Sequence, residues 1–100
     1  MDTIVVSVPG SLFDLGKIYT TPGALNALER NKTTLAPFLE RHRSGDWGDL
    51  EDEEKAENDE SVTDGYRILS AYGLPDDEKI WIITEAGRLS TSVLLPTGAP

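Results

Sequence analysis

Cysteine is absent from this chain of 100 residues, which has a single histidine and a single methionine. Disulfide bonds, thiolate metal sites, iron–sulfur clusters and cysteine nucleophiles are therefore excluded. No apolar run approaches the roughly 20 residues that a membrane-spanning helix needs. The amino terminus has an acid where a secretory signal peptide has positive charge. We therefore expect a cytoplasmic protein that does not associate with a membrane. We also expect it to bind no metal ion or cofactor.

Positive charge is scarce in the middle of the chain, where negative charge is concentrated. Ten of the 18 acidic residues lie within residues 46–64, opposed only by Lys55, and this acidic segment accounts for the whole net charge of −9. The ten are Asp46, Asp49, Glu51, Asp52, Glu53, Glu54, Glu57, Asp59, Glu60 and Asp64. The rest of the chain is charge-balanced, and its length and 38% hydrophobic content suit one small domain, residues 1–100, with one modest core.

Caps and apolar spacing predict three helices. Their predicted ranges are 22–30, 35–43 and 50–63. The predicted amino-terminal caps are Thr21, Thr33 or Thr34, and Asp49. Asn31 is expected to end the first helix in a left-handed conformation, and Gly65 to end the third. The third helix has few apolar residues, so we expect it to be thinly anchored and largely exposed.

The carboxyl-terminal third predicts strands at 66–72, 79–84 and 90–95. Polar connections containing Gly or Pro separate them, which favours an antiparallel meander over residues 66–95. The run 80–83 is apolar on both faces, so it should be the central strand, with helices on one side. Residues 3–8 indicate a further strand, and 17–20 a short extended piece. The predicted fold class is α+β: a three-stranded antiparallel meander, with or without an amino-terminal strand, and two or three helices packed on one face.

His42 is the one candidate for proton transfer, with Asp46 and Asp49 close in sequence to orient it. This pattern leaves open a small hydrolase or a nuclease-like toxin that uses these three residues. No serine occurs in a nucleophile-elbow context to support it. A structural role at a helix end, where a cation binds carbonyl groups, is the more common one for such a histidine.

Trp47 lies between two glycines in a predicted loop. It fits either an exposed anchor for a partner or a side chain that folds back into the core. The nearby carboxylates of Asp49, Asp52 and Glu53 share one helix face, but their spacing does not match a calcium-binding loop, so we assign no metal site.

Four arginines are the only plausible basic cluster: Arg41, Arg43, Arg67 and Arg88. Binding of nucleic acid requires a basic field over a whole face, and the net charge argues against it. We expect these arginines instead to neutralise part of the acidic helix through surface ion pairs.

Residues 20–96 resemble a family of small bacterial proteins found on mobile elements, often labelled plasmid-related. The resemblance is carried by five stretches: Thr21–Leu25 (TPGAL), His42–Leu50 (HRSGDWGDL), Glu57-Asn58, Trp81–Ala86 (WIITEA) and Leu94–Pro96 (LLP). Where the family commonly has an acidic residue after Glu85-Ala86, this chain has Gly87. The resemblance implies a mobile-element or host-accessory context and brings no established activity or site.

From the sequence we expect a non-enzymatic acidic accessory protein that binds a protein partner with a basic surface. We do not expect it to bind nucleic acid directly. In its most concrete form it inhibits a nucleic-acid-handling defence system, such as restriction or CRISPR machinery. The predicted binding residues are Asp46, Trp47, Asp49, Glu51, Asp52, Glu54, Glu57 and Glu60. The alternatives are the His42 hydrolase or toxin, and an oligomerisation or scaffold module that uses an exposed strand edge.

Overall fold

The computed structural model describes residues 11–96, so the predicted strand at 3–8 lies outside the described residues. Three helices and four strands follow one another in the described part. They are β1 (Lys17–Thr20), α1 (Pro22–Arg30), α2 (Ala36–Arg43), α3 (Asp52–Asp64), β2 (Ile68–Gly73), β3 (Lys79–Thr84) and β4 (Ser90–Leu94). The predicted α+β class is confirmed.

The strands form one sheet in the order β1-β4-β3-β2. β2, β3 and β4 are the predicted antiparallel meander, with Leu69 opposite Ile83 and Ile82 opposite Val93. β3 lies between two strands, as its two apolar faces predicted. β1 pairs in parallel with β4, so the sheet is mixed, and the short extended piece at 17–20 supplies the fourth strand.

Side chains alternate across the sheet, and the helices pack against one of its faces. The main core joins the inner sides of β2, β3 and β4 to the apolar stripe of α1. Its buried members are Ala24, Ala27, Leu28, Tyr72, Leu74, Ile80, Ile82 and Val93. A smaller cluster of Phe13, Trp47 and Ile68 lies beside it. No helix within residues 11–96 combines the length and the apolar character needed to cross a membrane.

The ends of α1 show one capping prediction confirmed and one wrong. The Thr21 hydroxyl accepts the Ala24 N–H at 3.2 Å, which begins the helix where predicted. Asn31 ends it without a left-handed conformation, at φ −92°, and Lys32 takes that conformation instead, at φ 53°. The Asn31 amide group donates to the Ala27 carbonyl oxygen at 2.8 Å, so its side chain ends the helix by hydrogen bonding.

The other two helices begin later than predicted. Leu35 caps α2 without a side-chain bond, so neither Thr33 nor Thr34 is the cap. Glu51 caps α3, and its N–H donates to the Glu54 carboxylate at 3.1 Å. Asp49 is not the cap, because the helix begins three residues later at Asp52. The backbone N–H of Asp49 donates instead to the Ala71 carbonyl across the sheet edge.

Candidate functional site

The acidic residues of α3 are all exposed. Only Asn58 and Ser61 of this helix are buried. The exposed acids are Asp52, Glu53, Glu54, Glu57, Asp59, Glu60 and Asp64. We call these seven residues the acidic face. Within residues 11–96 the ion pairs are Arg30–Glu78, Arg41–Asp46 and Arg43–Glu40, and none involves the acidic face.

The arginines of residues 11–96 therefore do not form the predicted ion pairs with α3. Arg41 donates to the Asp46 carboxylate at 2.7 Å, and this hydrogen bond lowers the pKa of Asp46. Arg43 pairs with Glu40 on its own helix. The predicted binding residues Glu51, Asp52, Glu54, Glu57 and Glu60 are all exposed, as are Asp46 and Asp49 in the preceding loop.

Trp47 is the predicted binding residue whose side chain is inaccessible, at 3% exposed. Its ring stacks beside Phe13 with centroids 6.2 Å apart. Its indole N–H donates to Asp59 at 3.0 Å and so ties the loop to α3. The proposal of Trp47 as an exposed anchor is wrong for this structure, and its other predicted role, packing back into the core, is the one observed.

Hydrogen bonds hold α3 in place, since its sequence has few apolar residues to pack against the domain. The Asn58 side chain donates to the Leu69 carbonyl at 2.7 Å and accepts the Leu69 N–H at 3.3 Å. At the carboxyl end, Arg88 donates to the carbonyls of Ser61 and Tyr66 at 2.7 and 2.6 Å. A cation at this end also opposes the negative pole of the helix dipole, although the last turn has no basic residue of its own. The acidic face is therefore fixed to the domain.

His42 is fully buried and joins three strands through side-chain hydrogen bonds. Its Nδ1 lies 2.6 Å from the Ser70 hydroxyl on β2, and its Nε2 lies 2.9 Å from the Thr84 hydroxyl on β3. Thr84 continues to Thr91 on β4 at 2.7 Å, and Thr91 donates to the Leu15 carbonyl at 2.7 Å. These bonds to His42 have no sequence signal, because Ser70 and Thr84 are 28 and 42 residues away from it along the chain.

The direction of each bond in this chain follows from its last acceptor. A carbonyl only accepts, so Thr91 donates to Leu15 and must accept from Thr84. Thr84 then accepts from the Nε2–H of His42, which places a proton on that nitrogen. Burial, helped by the charge of Arg88, lowers the pKa of His42 to about 4, so the imidazole is neutral and its bare Nδ1 accepts from the Ser70 hydroxyl.

The structure does not bring His42 together with Asp46 and Asp49. Both ring nitrogens of His42 bond to hydroxyls, and Phe13 and Trp47 pack edge-on against the ring at 5.2 and 6.0 Å. Asp46 faces Arg41 at the surface instead. A proton-transfer residue must reach its substrate, and this imidazole is closed to solvent. The hydrolase or toxin arrangement predicted from sequence is therefore not assembled.

The loop before α3 covers the outer edge of β2. The N–H of Ala71 donates to the Trp47 carbonyl, and the N–H of Asp49 donates to the Ala71 carbonyl, which forms a short parallel bridge at Gly48. Asn58 occupies the next position along the edge. Tyr72 holds the loop from beneath, because its hydroxyl donates to the Asp46 carbonyl at 2.7 Å. Burial raises the pKa of Tyr72 to about 12, so the hydroxyl remains a donor. This edge offers no free strand to a partner.

A groove of about 190 Å³ lies between α3 and β2. Glu54 and Glu57 line its helical side, Leu69 lines its sheet side, and Arg67 is the cation at its rim. In the part of the chain that the structure describes, no three His, Asp or Glu side chains are grouped to hold a metal ion.

Comparison with protein families, curated proteins and solved structures found no match to this chain. The resemblance to bacterial mobile-element proteins therefore remains a prediction from the sequence motifs. What the chain does must be argued from its own surfaces.

Proposed function

We propose that this chain is a non-enzymatic binding protein whose acidic face occupies a basic, nucleic-acid-binding surface of a protein partner. A defence system that handles nucleic acid is the partner class that fits the mobile-element resemblance. The observation that carries the proposal is the set of seven exposed carboxylates on α3 that no arginine or lysine of residues 11–96 pairs with.

The density of charge supports this class of partner. Seven carboxylates and one lysine span α3, which is about 18 Å long at 1.5 Å per residue. The helix therefore carries about one net negative charge per 3 Å, close to the 3.4 Å per charge of a DNA strand. A surface that binds a phosphate backbone would meet a similar linear field on α3.

The attachment of α3 also supports binding. Asn58 and the Trp47–Asp59 bond fix the middle of the helix to the domain, and Arg88 fixes its carboxyl end. A helix that is already ordered loses less conformational entropy on binding than one that must fold on its partner. The seven acids are exposed, which leaves their charges accessible to a partner.

The test compares two variants that remove the same charge. One is Glu53→Gln, Glu57→Gln, Glu60→Gln and Asp64→Asn, which changes only acids of α3 whose side chains make no hydrogen bond within residues 11–96. The control is Asp14→Asn, Glu29→Gln, Asp77→Asn and Glu85→Gln, all exposed and outside α3. Immobilised wild type, variant and control are each used to capture proteins from a bacterial lysate, with identification by mass spectrometry.

The proposal expects wild type and control to retain nucleic-acid-binding proteins, which added duplex DNA or high salt releases, because screening weakens surface charge interactions. The α3 variant should retain none of them. Equal capture by the α3 variant and the control would overturn the proposal, since binding would then not depend on where the charge lies.

A further inference from the structure

The second face of the sheet has large apolar side chains that no core cluster of residues 11–96 includes. Among the side chains on β2, β3 and β4 that alternate with the core residues and point to this side, Ala71 is buried, Lys79 is exposed, and the large apolar ones are half-buried. The large apolar side chains on this face are Leu69, Trp81, Ile83 and Leu94. None of them belongs to, or packs against, either core cluster. Tyr19 of β1 lies in the same row and is 56% exposed. We call these five residues the open sheet face.

The register places the open sheet face directly beside the acidic groove. Leu69 is opposite Ile83, Ile83 is opposite Ser92, and Ser92 is opposite Tyr19. Leu69 also lines the groove below Glu54 and Glu57. One strip therefore runs from the carboxylates through Leu69, Ile83 and the small Ser92 to the ring of Tyr19, over about 14 Å of sheet at 4.8 Å per strand.

We propose that this strip binds a basic amphipathic helix of the partner, with its apolar stripe on the open sheet face and its cations against Glu54, Glu57 and the acidic face. This inference rests on the proposed function and adds the chemistry of the bound segment. A strip of about 14 Å matches three turns of helix, or about ten residues. Arg67 offsets part of the negative charge in the groove, but Glu54 and Glu57 together leave the groove with a net negative charge.

Charge and area favour this occupant over a second copy of the chain. A second copy would bring another nine net negative charges and no basic segment to meet the groove. The strip covers roughly 14 by 17 Å of sheet, far below the approximately 800 Å² per partner of a stable interface. A partner that adds ion pairs along α3 extends the contact beyond the sheet.

The probe is a labelled synthetic peptide of about 15 residues, with leucines on one helical face and lysines beside them. A peptide of the same composition with the pattern scrambled is its control. Binding is measured by fluorescence anisotropy to the full chain and to two matched variants. Ile83→Thr removes apolar surface from the open sheet face, and Ile18→Thr makes the same change on the helix-covered side, where Ile18 is 44% exposed.

The patterned peptide should bind wild type, and Ile83→Thr should lower its affinity at least about tenfold. The affinity of Ile18→Thr for the same peptide, and that of wild type for the scrambled peptide, are the reference values. Thermal unfolding confirms that the variants fold. On wild type, the Trp81 indole resonance should shift on titration, which tests the site without any variant.

Three results would overturn the inference or a part of it. Binding that Ile83→Thr leaves unchanged, yet the α3 variant abolishes, would mean that charge alone acts and would leave the proposed function standing. Concentration-dependent self-association that Ile83→Thr removes would assign the open sheet face to a second copy. Loss of binding in Ile83→Thr but not in the α3 variant would overturn the cationic part of the inference, whereas the proposed function depends on its own capture experiment.

Discussion

Asn58 replaces a neighbouring strand for Leu69. Its amide nitrogen donates to the Leu69 carbonyl at 2.7 Å, and its amide oxygen accepts the Leu69 N–H at 3.3 Å. A single side chain thereby satisfies both outward polar groups of an edge residue and docks α3 against the sheet. The acidic helix is thus positioned by hydrogen bonds more than by apolar packing, which accounts for its exposed surface.

Replacing Asn58 with Ala should lower the free energy of unfolding by about 1–3 kcal/mol, because both backbone groups of Leu69 lose their partner. Urea unfolding measures the change, and amide hydrogen exchange should accelerate at Leu69. Glu60→Ala, on the exposed side of the same helix, is the matched control and should stay within about 0.5 kcal/mol of wild type. Equal stability of Asn58→Ala and the control would show that the bidentate contact contributes nothing.

His42 should make stability fall as the solution becomes acidic. Its pKa is 6.5 when unfolded and about 4 when folded, so between those values the unfolded chain binds a proton that the folded chain does not. Stability from this residue is complete above pH 6.5 and declines as pH falls toward 4, by about 3 kcal/mol. Urea unfolding from pH 7.5 to pH 4 measures it.

His42→Gln is the control for that pH dependence. The carboxylates titrate in both proteins, so the difference between their stability curves isolates the imidazole. The variant should be less stable at pH 7.5, because Ser70 and Thr84 lose their bonding geometry, and its stability should fall less steeply between pH 6.5 and pH 4. Parallel curves would show that His42 is not held neutral in the fold.

The sequence predicted those elements whose signals are local. Thr21-Pro22 gave the start of α1, Gly65 gave the end of α3 at φ 81°, and the apolar run of β3 gave the central strand. The parallel pairing of β1 with β4 was not predictable, because four residues without alternation do not specify a direction of pairing.

The sequence predicted the charge of the candidate site but not the hydrogen bonds that hold α3 in place. The exposed acids of α3 follow from composition alone. The partners that fix them do not: Asn58 and Leu69 are 11 residues apart, Arg88 reaches Ser61 over 27 residues, and no spacing rule links them. Trp47 was ambiguous for the same reason, since its bond to Asp59 depends on how the loop folds back.

Gly48 should be far less tolerant of substitution than Gly65. Both have positive φ, 76° and 81°, but a Cβ at Gly48 would overlap the Ala71 carbonyl, whereas one at Gly65 meets open space. Gly65→Ala should cost about 1–2 kcal/mol from backbone conformation alone. Gly48→Ala should cost more than about 3 kcal/mol, because it also breaks the bridge that covers the β2 edge. Thermal and urea unfolding of the two variants, side by side, decide the point, and equal losses would mean that the bridge is dispensable.

Reducing the charge of α3 should stabilise the fold while weakening its binding. Glu60 lies three residues after Glu57 and four before Asp64, so it repels both and lies toward the negative pole of the helix. Glu60→Gln should raise the free energy of unfolding slightly, and Glu60→Lys by about 0.5–1 kcal/mol at low salt. The difference in the free energy of unfolding between these variants and wild type should shrink in about 1 M salt, where charges are screened within about 3 Å. Capture of basic partners should fall in the same order, from wild type through Gln to Lys. A stability gain that persists unchanged at high salt would show that charge repulsion along α3 is not its cause.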